Sequence, residues 1–427
     1  MDQQKNQNSA FRILIASLAG TTIEFFDFYI YATAAVLVFP KLFFPSSDPA
    51  SGTLESLATF ALAFFARPIG SALFGHFGDR MGRKATLVAS LMTMGISTVA
   101  IGLLPTYSSI GITAPILLAF FRFGQGVGLG GEWGGAVLLA TENAPEGKKA
   151  WYGMFPQLGA PLGFVLSSAV FLIIGNTLKG QQFLSLGWRI PFVLSFLLVG
   201  VGLYVRLKII ETPDFLKIIK NNQRVKFPVS EVFTRYGMSL SLGTVISILI
   251  FLSFYLMTVF ALSWGTSALS YTRSDFLSAQ MISMIFFAAG ILLSATLAGR
   301  YSPIRVLMLS TVLLFFFGIF FSKFFVGGNW SLTVSFLAAG MFLTGLNYGP
   351  LGTALAEFFP APVRYTGASL SFTLAGILGA SLTPYFATNL AKHYGLVYVG
   401  YYLCIAALLS FIALIIESSR LKKVHSS

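Results

Sequence analysis

Twelve apolar runs, each about long enough to cross a bilayer, dictate what this chain can fold into. Spanning hydrocarbon as a helix takes roughly 20 mostly apolar residues. Such runs fall at about 13–39, 54–76, 85–105, 113–141, 151–175, 188–207, 237–262, 275–299, 306–325, 331–356, 366–390 and 396–417. In lipid every backbone amide needs a partner within its own segment, so each run is expected to be a helix. Of the 427 residues, 56% are hydrophobic and 10% are charged, too little charge to keep so long a chain in water; soluble domains carry about 25% charged residues. The expected class is an all-α membrane protein of twelve transmembrane helices. The longest polar connection, 208–236, divides them into an N-terminal six-helix bundle (1–207) and a C-terminal six-helix bundle with a short tail (237–427).

The basic residues set the expected orientation. With the N-terminus inside, 20 Lys and Arg fall on the inner side, among them Lys5, Arg80, Arg83, Lys84, Lys149, Arg206, Lys217 and Arg364. Only Lys41, Lys179, Arg189, Arg273, Lys323 and Lys392 fall outside, so both termini are expected in the cytoplasm. An odd number of helices would destroy this bias. The first run contains Glu24 and Asp27 and is far longer than a signal-peptide core of about 7–15 residues, so it is read as a helix that stays.

Two inner-side patterns stand out. Gly75-His-Phe-Gly78-Asp79-Arg80-Met-Gly82-Arg83-Lys84 joins the second and third runs. Its glycines permit a tight turn, and Asp79, Arg80 and Arg83 can form a charge cluster with Glu142. Glu142-x-x-Pro145-x-x-x-Lys149 follows the fourth run and Glu357-x-x-Pro360-x-x-x-Arg364 follows the tenth, so the halves repeat. Asp79, Arg80, Arg83, Glu142, Glu357 and Arg364 are the candidate cytoplasmic gate. For the basic residues, orientation alone is the simpler reading.

The Gly75–Lys84 loop is similar to the signature of the major facilitator superfamily. The resemblance implies two related bundles that rock about a site near the bilayer midplane, giving alternating access. The matching point of the second half, Gly299-Arg300-Tyr-Ser-Pro303-Ile-Arg305, has lost the aspartate, which weakens the case for a second equivalent gate.

A charge inside a span costs on the order of a few kcal/mol, so it is a functional candidate by default. Glu24, Asp27 and Tyr31 are spaced i, i+3, i+7 on one face of the first helix; Arg67 precedes Pro68 in the second; Arg122 and Glu132 lie in the fourth. No comparable carboxylate is read inside helices seven to twelve, so proton handling is expected in the first half. Asp27 is the first candidate carrier with Arg122 as its partner; the other reading is a permanent ion pair locking helices one and four. In sugar porters of the superfamily an aspartate of helix one and an arginine at the start of helix four play the coupling role, and Arg122 with Glu142 matches that spacing. Glu24 and Glu132 either carry protons or contact substrate, or they pair with Arg67 or Arg122 as structural bridges.

The fourth run, Gly124-Gln125-Gly126-Val-Gly128-Leu-Gly130-Gly131-Glu132, contains a formal Gly-x-Gly-x-x-Gly match. A dinucleotide site needs that match at a strand-to-helix turn; inside an apolar span the glycines serve close helix packing. Arg67, Arg122, Tyr31, Gln125 and Gln157 from the first half, and Asn347 and Tyr348 from the second, are the candidate substrate contacts.

Several segments together resemble the metabolite:proton symporter family. They are Gly20-Thr-Thr-Ile-Glu24-Phe-Phe-Asp27, Ala66-Arg67-Pro68, Gly130-Gly-Glu132-Trp, Phe155-Pro-Gln157 and Val363-Arg364-Tyr-Thr-Gly367. The resemblance implies a monomeric carrier in the bacterial inner membrane that takes up a small polar metabolite, an organic acid or a zwitterion, with protons. It implies no cofactor beyond the proton gradient. An uncoupled facilitator or exporter of the same fold is the alternative. Three scattered histidines and one cysteine, Cys404, offer no metal cluster or nucleophile–base group, so an enzyme is not expected. The net charge of +13 is explained by the sided loops; no basic, aromatic-bearing nucleic-acid motif accompanies it.

Overall fold

A computed structural model of the chain describes residues 9–45, 49–178 and 180–426; Lys5 and Lys179, two of the charges assigned to sides, lie outside the described residues. Among the described residues all regular structure is helical, and twelve helices are long. In the first half they are α1 (Ala10–Leu37), α2 (Pro49–Met81), α3 (Arg83–Leu103), α4 (Thr113–Glu142), α5 (Lys149–Thr177) and α6 (Arg189–Leu207). In the second half they are α7 (Gly237–Ser267), α8 (Arg273–Arg300), α9 (Pro303–Phe324), α10 (Trp330–Glu357), α11 (364–394) and α12 (Leu396–Ser426). Eleven are long and apolar enough to cross a membrane. The other, α4, has its apolar content diluted by its glycines and by Arg122 and Glu132.

Local chemistry explains where these helices begin and break. Ser9, Thr272, Ser302 and Asn329 cap α1, α8, α9 and α10 with side-chain oxygens that accept from backbone N–H groups. Gly82, at φ 119°, separates α2 from α3, a conformation that glycine alone adopts cheaply. π-helical turns at Leu256–Phe260 and Ile377–Ser381 interrupt the α-helical geometry of α7 and α11. α12 continues beyond the end of its apolar run at 417, as far as Ser426.

The chain forms two compact units, residues 1–143 with 158–228, and residues 144–157 with 229–427. In lipid, helices gain little from apolar burial against one another, so close approach and polar contacts must hold them. α4 meets that demand in the first unit. A Cβ on Gly126 would lie 2.7 Å from the Ala63 carbonyl oxygen of α2, and one on Gly128 would lie 2.6 Å from the Met94 nitrogen of α3. The glycine-rich stretch is therefore a packing seam. The outer surface is the reverse: Phe65, Ile69, Leu73 and Phe77 form an exposed stripe along α2 at i, i+4 spacing. Charge is gathered inside, where Glu24, Asp27, Arg67, Arg122, Glu132 and Arg206 are all buried. An aromatic cluster of Tyr31, Phe39, Phe43, Trp188 and Phe192 closes one end of this interior.

Candidate functional site

The Asp27 carboxylate sits where α1 meets α3 and α6. Thr98 of α3 donates to its Oδ2 at 2.8 Å, and Ser195 of α6 donates to its Oδ1. Arg122 does not touch this carboxylate. Gln125, one turn along α4, stands between them: Arg122 donates to Gln125 Oε1, and Gln125 Nε2 donates to Thr98 Oγ1 at 2.8 Å. The direct Asp27–Arg122 pair expected from sequence is replaced by the relay Arg122–Gln125–Thr98–Asp27. The reason is that Gln125 shares the buried face of α4 and takes the guanidinium itself. Arg122 also lies 3.9 Å from the Tyr31 ring centroid, and the Tyr31 hydroxyl is 2.7 Å from Thr59 Oγ1. Sequence brings Tyr31, Asp27, Arg122 and Gln125 to one interior; the hydroxyls of Thr98 and Ser195 carry no signal of their own.

One turn away, Glu24 lies 3.9 Å from Arg67 of α2, an ion pair without a hydrogen bond. The Arg67 guanidinium is 5.0 Å from the Phe28 ring centroid and 5.3 Å from that of Phe64.

Glu132 pairs with neither Arg67 nor Arg122. Its partner is Arg206, in the last turn of α6, which makes hydrogen bonds to both carboxylate oxygens and also donates to the Leu87 carbonyl at 2.8 Å. Ser90 donates to the same carboxylate at 3.2 Å. Sequence reading assigned Arg206 to the inner-side charges; the structure buries it at 2% exposure. The available signal was an intramembrane Glu132 needing a cation within reach. α1 admits the pair by carrying Gly20, where any Cβ would overlap both the Arg206 guanidinium and the Glu132 carboxylate.

At the α2–α3 connection, Arg83 donates to Asp79 at 2.9 Å, to the Gly78 carbonyl at 2.6 Å and to Glu142 at 3.4 Å. Arg80 is exposed and stands outside this cluster, because the break at Gly82 turns Arg83 inward and leaves Arg80 on the surface of α2. The segment after α6 completes the cluster. Thr212 donates to Glu142 at 2.6 Å, and Glu211 accepts the backbone N–H groups of Arg83 and Lys84 at 3.0 and 3.2 Å. A carboxylate is well placed at a helix N-terminus. Phe215 lies under the Arg83 guanidinium at 5.3 Å. The polar connection 208–236 therefore begins inside the cluster.

In the second unit, Asn347 donates to Ser310 at 2.9 Å and Thr311 at 3.2 Å. Tyr348 stacks with Phe287 and Phe372, and its carbonyl accepts from Gln157 at 3.3 Å. Glu357 is exposed, and the half-buried Arg364 donates to the Phe359 carbonyl at 3.3 Å, so the repeat of the Glu142 motif does not repeat its burial. One carboxylate departs from the expectation for the second half. Glu417 of α12 is 1% exposed, accepts from Ser239 at 2.7 Å and pairs with Arg420 at 3.1 Å. It falls where the apolar run ends and so reads as a border residue.

Lipid-length helices with their charges gathered in a buried polar interior have the build of a polytopic membrane transport protein. The family model described as sugar (and other) transporter matches residues 12–226. The chain is 53% identical over 414 residues to the inner membrane metabolite transport protein YhjE of Escherichia coli K12, covering 96% of this chain and 94% of that one. It is 36% identical over 391 residues to the shikimate transporter of the same organism, covering 90% and 88%. Its fold is similar to that of the proton:xylose symporter XylE, with a TM-score of 0.75 at 16% identity and 96% coverage of each chain. This chain belongs to the sugar (and other) transporter family of the major facilitator superfamily. It is a multi-pass protein of the bacterial inner membrane.

Proposed function

We propose that this chain is a secondary active transporter that imports a small polar metabolite, an organic acid or a zwitterion, together with protons. It works as a monomer by alternating access, with both termini in the cytoplasm and no cofactor beyond the proton gradient. The bias of Lys and Arg between the loops supports that orientation, which puts the Asp79–Arg83–Glu142 cluster on the inner side. Breaking and re-forming that cluster accompanies the movement of the bundles.

The observation that carries the reading is the buried Asp27. Placing a carboxylate in the middle of a span is costly, and its side-chain hydrogen-bond partners are the neutral hydroxyls of Thr98 and Ser195, with no cation bonded to it among the described residues. Such a group is equipped to take and release a proton as the helices around it move. The relay through Gln125 lets Arg122 sense or set that event without neutralising Asp27 permanently. Arg67, Arg122, Tyr31, Gln125, Gln157, Asn347 and Tyr348 supply polar contacts for substrate. The names of the relatives, a metabolite transport protein and a shikimate transporter, support a small organic cargo.

The test is uptake of labelled shikimate and labelled proline into proteoliposomes under an imposed pH gradient, with proton entry followed by an internal dye. Gradient-driven accumulation accompanied by proton entry is expected, and Asp27→Asn should abolish the accumulation while sparing exchange. Accumulation that ignores the gradient, or that persists at the normal level in Asp27→Asn, would remove the proposal.

A further inference from the structure

Buried arginines in this protein are not equally satisfied. Arg83 and Arg206 each spend both terminal nitrogens on hydrogen bonds to acceptors in their own clusters. Arg67 does not. It is 5% exposed, yet among the described residues its Nε and Nη2 have no hydrogen-bond partner, and Glu24, 2% exposed, has none there for its Oε2. The two side chains stop at 3.9 Å, near enough to balance charge and too far to bond. Phe28 and Phe64 flank the guanidinium and hold it in place, leaving its Nε–Nη2 edge as the unused part. That edge is a planar two-donor fork, the shape that receives a carboxylate with two parallel hydrogen bonds.

We propose that the Nε–Nη2 edge of Arg67 is the receptor for the carboxylate of the transported metabolite, and that the incoming carboxylate displaces Glu24, which takes up a proton as it is released. The Arg67–Glu24 ion pair breaks, the Arg67–substrate ion pair forms, and one proton from water binds Glu24. One anion and one proton enter together and the net charge of the site is unchanged. When the substrate leaves, Glu24 loses its proton and returns to Arg67, so the empty carrier is neutral at this point too. Substrate binding is then proton-linked in itself, apart from the cycle of Asp27.

The charges around Glu24 are compatible with such an exchange. Arg67 faces it from α2, Glu132 from α4 and Arg206 from α6, and Asp27 lies one turn along its own helix. Glu132 and Arg206 are closed on each other. α3 presents hydroxyls, Ser90 to Glu132 and Thr98 to Asp27. Arg67 is thus the cation that Glu24 faces without a hydrogen bond, while Arg206 is already taken by Glu132.

This inference rests on the reading of the chain as a carrier of a carboxylate-bearing metabolite, and it is tested at equilibrium so that the two can fail separately. Purified protein in detergent is titrated with shikimate and its methyl ester, and with proline and prolinamide, over a range of pH, with stabilisation and calorimetric affinity as readouts. The acid of at least one pair should bind and its uncharged-carbonyl partner should not. While Glu24 is ionised, wild-type affinity should rise about tenfold for each unit fall in pH, as uptake of one proton per ligand requires. Glu24→Gln should bind the acid at least as tightly as wild type does at low pH, with a flat pH profile. Arg67→Lys should lose binding more than tenfold; if that variant fails to fold, the Glu24→Gln profile decides. The inference is overturned if no acid of the panel binds, if acid and neutral partner bind alike, or if Glu24→Gln keeps the wild-type pH slope. Gradient-insensitive uptake with proton-linked binding would remove symport and leave this site; gradient-driven uptake with pH-flat binding would do the opposite.

Discussion

Glu132 of α4 takes its counter-ion from Arg206 at the far end of α6, and the two side chains bond directly in the interior of the first unit. The pair joins helices distant in sequence, and α1 accommodates it only by having no side chain at Gly20. Both ions are almost completely buried. Neither can be removed alone without leaving the other charge uncompensated.

Arg206→Ala should therefore be more harmful than removing both partners. Breaking a buried pair by deleting one ion costs about 3–5 kcal/mol, whereas replacing both with apolar groups is often close to neutral. The double variant Glu132→Leu/Arg206→Met is expected to melt above Arg206→Ala in detergent. A double variant melting at or below the single one would show that Arg206 matters through its bond to the Leu87 carbonyl rather than through charge.

Gln125 makes a sharper prediction about transport than about folding. Its amide joins Arg122 to Thr98, and Thr98 to Asp27, so Gln125→Leu removes the middle of the relay while keeping the volume. Leaving buried donors unmet costs about 1–3 kcal/mol, which corresponds to roughly a 5- to 150-fold loss in transport rate if the relay acts in the moving step. Gln125→Glu should leave more activity, since a carboxylate still accepts from Arg122. Uptake rates of the two variants, normalised to folded protein, check the order.

Much of this interior was legible in the sequence, and the limit of that legibility has a physical origin. Charges inside apolar runs announce themselves by their cost, so Glu24, Asp27, Arg67, Arg122 and Glu132 could all be picked out, as could the helix count. Which charge meets which partner depends on the rotation and crossing of four helices, and no one-dimensional spacing carries that. Arg206 and Glu417 lie at the ends of apolar runs, where a buried ion and a solvated one look alike. Thr98 and Ser195 are ordinary helix hydroxyls until α3 and α6 bring them to Asp27. Arg80 and Arg83 read as equals because the turn between them is invisible until the backbone at Gly82 is known.

That pair of arginines gives a direct comparison. Arg83→Ala leaves Asp79 and Glu142 buried together with their shared cation gone, which should lower stability by about 3–5 kcal/mol. Arg80→Ala alters an exposed side chain and should stay within about 0.5 kcal/mol of wild type. Uptake should follow the same order, with Arg83→Ala losing most of its rate. Equal losses in the two variants would mean that the basic residues act only through orientation in the membrane.

Gly82 and Gly111 separate backbone strain from steric crowding. Both have positive φ, 119° and 60°, where a side chain is strained, and residues held in such regions cost about 1–3 kcal/mol each. At Gly111 an added Cβ meets nothing within 4 Å, so Gly111→Ala should show the strain alone. At Gly82 the same atom would run into the Glu211 carboxylate, which receives the first backbone N–H groups of α3. Gly82→Ala should therefore melt well below Gly111→Ala, and the extra loss should shrink when Glu211 is also changed to Ser, which vacates the space. A Gly82→Ala penalty that is unmoved by Glu211→Ser would assign the whole effect to the backbone, and the carboxylate would then have no part in holding α3 to the segment after α6.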